Sequence, residues 1–71
     1  MDMKELNQKI TVAYRQYTDA DRVSRAILDE IIRGVKTELT DEEKKEIQLA
    51  ENKFDEFWNL LRQKYSDLPE A

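Results

Sequence analysis

Residues 38–65, ELTDEEKKEIQLAENKFDEFWNLLRQKY, hold the clearest helix start in the chain and its largest apolar side chains. Thr40 is followed three positions later by Glu43, the spacing of a capping box. The threonine hydroxyl accepts from the Glu43 backbone N–H while the Glu43 carboxylate accepts from the Thr40 N–H. Asp41, Glu42 and Glu43 add negative charge in the first turn, where the helix dipole favours it. From there Ile47, Ala50, Phe54, Phe57, Leu61 and Lys64/Tyr65 recur at spacings of three and four, and Trp58 and Leu60 widen the apolar face. Pro69 disfavours helix at Leu68, so the pattern predicts a helix over 40–66, about 38 Å long, and a frayed tail over 67–71.

Working back from Thr40, residues 19–37 are expected to form the next helix. Ile27, Leu28, Ile31, Ile32 and Val35 make a broad apolar face, with Asp21/Arg25 and Asp29/Arg33 paired four apart on the wet side. Gly34 is either a left-handed cap or a late helical residue before a short link. A short link predicts antiparallel neighbours, hence a hairpin. Met3, Leu6, Ile10, Ala13/Tyr14 and Tyr17 predict a further amphipathic helix over 2–17. Thr18 and Asp21 carry a weaker capping signal, although the apolar phase continues through Ala20, Val23/Ser24, Ile27 and Ile31. A break at Thr18 is the expectation, because one bent helix over 2–37, about 54 Å long, would overhang its ~38 Å partner. The expected fold is all-α: a helical hairpin or three-helix bundle within a single helical domain, 1–71.

Seventy-one residues support only a marginal core, and the chain has no cysteine or histidine for a disulfide or an ordinary zinc site. Oligomerisation is the remaining usual remedy, so a homodimer, a larger helical bundle, is expected. Charged residues make up 39% of the chain, with one glycine and one proline, which favours helix. No apolar run approaches the ~20 residues that span a bilayer, and the amino terminus has no signal-peptide apolar region. A cytoplasmic protein without membrane contact is expected.

Catalysis is disfavoured by composition. The usual nucleophile–base pairs are missing, and the serines are Ser24 and Ser66 alone. The i,i+4 carboxylate pairs Glu42/Glu46 and Glu51/Asp55 have no sheltered pocket in prospect and read as solvated. No Glu-x-x-His or calcium-loop pattern is present, so no metal and no cofactor is expected. The net charge is −4, and its excess lies after residue 39, with five Lys/Arg against nine Asp/Glu. Arg15, Arg22, Arg25, Arg33 and Lys36 make a partial basic stripe, the candidate nucleic-acid-binding residues, but Asp19, Asp21, Asp29 and Glu30 interrupt it. The aromatic group of the last helix is the stronger feature. Trp58 points about 100° away from Phe57, so the rings serve two faces, and Phe54, Phe57, Trp58, Leu61 and Tyr65 are the candidate partner-binding residues.

Two short similarities bear on function. Glu38-Leu39 and Asp55-Glu56-Phe57-Trp58 resemble pieces of the plasmid copy-number protein family Rop, whose helical hairpins dimerise into a four-helix bundle and bind paired RNA loops. Glu38-Leu39-Thr40-Asp41, Ala50 with Lys53-Phe54 and Glu56-Phe57, and Tyr65 to Pro69 resemble the Hha/YmoA group of nucleoid-associated modulators. Both alignments need gaps inside the last helix. These resemblances imply a regulator at RNA or DNA. The residues themselves favour a small bacterial or phage-type regulatory or inhibitory protein, non-catalytic, binding another protein through a helix face.

Overall fold

The computed structural model describes residues 2–70. Two helices, α1 (Met3–Ile32) and α2 (Asp41–Lys64), account for most of them, and no strand occurs among the described residues. Asp2 caps α1, its carboxylate accepting from the Glu5 N–H at 2.9 Å. At the other end the chain closes a Schellman motif. The Gly34 N–H reaches the Ile31 carbonyl at 3.1 Å and the Val35 N–H the Glu30 carbonyl at 2.9 Å, with Gly34 at φ +77. The helix therefore stops at Ile32 and does not run on to 37.

The capping box at Thr40 forms as read, with Thr40 N–H to Glu43 Oε1 at 2.9 Å and Glu43 N–H to Thr40 Oγ1 at 3.1 Å. The other Glu43 oxygen accepts from the Lys36 ammonium, which also lies 3.8 Å from the Glu30 carboxylate. Lys36 thus ties the end of α1 to the start of α2. That ammonium holds the Glu43 carboxyl below its ordinary range, with help from the Thr40 N–H, and Glu43 in turn raises Lys36.

Lys64 reaches Asn7 at 2.8 Å and Lys53 reaches Gln16 at 3.3 Å, so the helices run antiparallel with facing residue numbers adding to about 70. The inward positions of α1 are Leu6, Ile10, Ala13, Tyr17, Ala20, Ser24, Ile27 and Ile31; those of α2 are Ile47, Ala50, Phe54, Phe57 and Leu61. Steps alternate between three and four in both helices, a seven-residue repeat over one unbroken seam. Ala20 lies level with Ala50 and both are buried, which lets the backbones approach at mid-length.

The expected break at Thr18 is absent, and α1 is one helix. The Thr18 hydroxyl donates to the Arg15 carbonyl at 3.0 Å, and Asp21 pairs with Arg25 at 2.5 Å instead of completing a cap. Local capping chemistry loses there because a break would interrupt the seam between Ala13 and Ala20. The overhang is smaller than a helix over 2–37 would leave, since α1 ends early and is about 45 Å long against about 36 Å for α2. The helices expected over 2–17 and 19–37 are therefore one, and the architecture is a helical hairpin.

The tail also departs from expectation. Residues 65–68 make a turn, Leu68 N–H to Tyr65 carbonyl at 3.2 Å, and the Trp58 indole N–H donates to the Pro69 carbonyl at 2.8 Å. The last residue of the expected frayed segment, 71, lies outside the described residues. No helix is long and apolar enough to cross a membrane among the described residues.

Candidate functional site

The seven-residue repeat divides the hairpin into two lateral sides. One carries Asn7, Tyr14, Asp21 and Leu28 of α1 beside Lys44, Glu51, Trp58 and Tyr65 of α2, the positions next to the seam. The opposite side carries Lys9, Gln16, Val23 and Glu30 beside Glu46, Lys53 and Leu60. A two-stranded seam needs only its own two apolar positions; a third apolar position per repeat is the pattern of a helix with another neighbour. On the first side Tyr14, Leu28, Trp58 and Tyr65 follow that pattern, and Asn7, Asp21, Lys44 and Glu51 interrupt it.

Phe54, Phe57 and Trp58 are brought together and joined by two tyrosines from α1. Tyr17 lies 5.3 Å from Phe54 and 6.0 Å from Phe57 between ring centres; Tyr14 lies 5.3 Å from Phe57; Phe54 stacks on Trp58 at 5.9 Å. Five rings linked by these contacts stabilise the hairpin beyond their area burial, each good pair by roughly 0.5–1.5 kcal/mol. None of them is fully enclosed. Phe54, Phe57, Trp58 and Leu61 are half-buried, Tyr14 is 52% exposed and Tyr65 is 48% exposed. Tyr65 stands apart from the cluster, its ring 5.3 Å from the Lys64 ammonium.

Tyr14 and Tyr17 were not among the candidate partner-binding residues. Their three-residue spacing puts them on one face, but only the antiparallel register brings that face to Phe54 and Phe57. The same side holds a groove of about 400 Å³ further along, whose lining includes Leu28, Ile47 and Phe54 together with Asp21, Glu51 and Asp55. Leu28 and Ile47 belong to different helices, so their adjacency is likewise a product of the register.

The five basic candidates do not form a continuous field. Arg25 binds Asp21 at 2.5 Å, which raises its pKa; Arg33 binds Asp29 at 3.2 Å; Lys36 is held by Glu43 and Glu30. Arg15 and Arg22, seven apart on the outer side of α1, take part in no ion pair among the described residues. Among those residues, no group of three or more acidic or other ligand side chains is placed to hold a metal ion. Comparison of the chain with protein-family models, with characterised proteins and with solved structures finds no match in any of the three.

Proposed function

We propose that the chain is a small, non-catalytic regulatory or inhibitory protein that binds another protein through the lateral side bearing Trp58 and Tyr65, backed by the half-buried Phe54, Phe57 and Leu61 of the seam. One observation supports this above the others: the hairpin cannot shelter its own apolar surface. The residues buried among those described are Leu6, Ala13, Ala20, Ala50 and Ser24, and no large side chain is fully enclosed. The accessible surface is 5555 Å². A compact monomer of 8.5 kDa exposes about 4,650 Å². The excess, roughly 900 Å², is spread along the whole hairpin, and exposed apolar side chains such as Val12, Val23 and Leu49 lie off this side as well. Elongation is its origin, with extents of 47 × 21 × 18 Å and a radius of gyration of 14.9 Å. A compact domain of this length has a radius of about 11 Å.

The test is capture of a partner by the parent and by Trp58→Ala and Tyr14→Ala variants, with circular dichroism as the control. Both variants trim the exposed edge of the cluster and leave the seam intact. Association should be lost while helix content stays. Variants that associate like the parent would show that the face is wrong.

A further inference from the structure

The uncovered part of this face has a chemical signature of its own. Along α1 it runs Tyr14, Asp21, Leu28: an apolar, an acidic and an apolar residue at seven-residue intervals, about 21 Å from end to end. The α2 edge adds two more carboxylates beside the same groove, Glu51 and Asp55. Asp21 already has a cation, Arg25 at 2.5 Å. Glu51 and Asp55 have none among the described residues, although they sit four apart on one helix, where like charges oppose each other. Their side chains are exposed and make no hydrogen bond among the described residues.

The possible occupants differ in how they meet this charge. The tail is already engaged at Trp58 through Pro69 and lies at the other end. A second copy of the chain, paired symmetrically about the groove, would bring the carboxylates against their own counterparts. Its net charge of −4 would add to that repulsion. A helix carrying Lys or Arg midway between apolar side chains meets both needs at once, since its apolar groups reach the Tyr14 and Leu28 ends and its cation answers Glu51 and Asp55.

Resting on the protein-binding reading above, we propose that the Leu28–Ile47–Phe54 groove docks a basic amphipathic helix of a partner protein, laid along the hairpin as a third helix with a cationic residue level with Glu51 and Asp55.

The test is selection from a displayed library of amphipathic helical peptides, randomised over all charged positions, against the full chain and against the Glu51→Lys/Asp55→Lys double variant. Glu51 and Asp55 are both exposed and lysine is a good helix former, so the variant should retain its helix content by circular dichroism. The parent should enrich helices with Lys or Arg between apolar anchors. The double variant should weaken those peptides roughly tenfold or more and enrich acidic ones instead. Enrichment of neutral or acidic helices by the parent would overturn this inference and leave the protein-binding reading standing. Absence of any enriched helix would likewise overturn this inference, while the protein-binding reading stands or falls on partner capture. A native mass showing a dimer, with the Leu28 and Ile47 signals broadened by self-association, would overturn it in favour of a second copy.

Discussion

Proline at position 19 separates a continuous α1 from two helices meeting at Thr18. In α1 the Asp19 N–H is an interior donor aimed at the Arg15 carbonyl, the same oxygen that takes the Thr18 hydroxyl at 3.0 Å. Asp19→Pro removes that N–H and drives the ring against that carbonyl, a cost of about 3 kcal/mol. Were Thr18 a cap, position 19 would be the first helical residue, where proline is favoured and the cost is near zero. Stability for a chain of this size is about 4–10 kcal/mol, so the two outcomes are far apart. A loss of 3 kcal/mol lowers Tm by roughly 12–24 °C. Asp19 is exposed and its side chain makes no ion pair among the described residues, so Asp19→Ala is the proper control. Thermal and urea melts followed by far-UV circular dichroism give the comparison. An Asp19→Pro variant melting within about 3 °C of Asp19→Ala would refute the single-helix description.

Further outcomes follow from the loop and the tail. Gly34→Ala meets no atom within 4 Å but forces a side chain into the left-handed region at φ +77, so it should cost about 1 kcal/mol in urea titrations. Thr40→Ala removes the hydroxyl half of the capping box and should cost about 1 kcal/mol, with fraying of the first turn of α2 seen by hydrogen exchange. Because the Glu43 carboxyl is lowered in the fold, its stabilising contribution is present above its unfolded pKa of about 4.3 and is lost as pH falls through the folded value. The raised Lys36 contributes below its unfolded pKa of about 10.4 and loses its effect as pH rises through the folded value. Glu43→Gln should therefore flatten both limbs of the stability–pH curve relative to the parent, and a curve of unchanged shape would show that the pair is inert. Removing residues 67–71 breaks the indole–Pro69 bond and should shift Trp58 emission to longer wavelength with helix content retained.

The start of α2 was legible because a capping box is a local device, complete within the four residues from Thr40 to Glu43. Gly34 was legible as one of two options for the same reason. The continuity of α1 was not, since Thr18 and Asp21 offer a capping signal of the same local kind, though weaker than that of Thr40 and Glu43. What separates the two sites is what lies alongside. Position 18 is flanked by Ala13 and Ala20, both buried in the seam, whereas Thr40 follows an exposed loop. Of the candidate binding residues, Phe54, Phe57 and Trp58 were readable from spacing on one helix. Their contacts with Tyr14 and Tyr17, and the pairing of Leu28 with Ile47 in one groove, join residues of both helices at a register that no window of sequence contains.

By itself the sequence determined what depends on near neighbours: helical content, the capped start of α2, the antiparallel return through a short link, and an aromatic group on an otherwise charged helix. Tertiary structure decided that α1 is one helix, that the tail turns back to Trp58, and that a groove lined in part by carboxylates opens beside the rings. These outcomes depend on which side chains of the two helices stand level with each other. Burial along the seam outweighs a weak local cap, and only the folded register creates that seam.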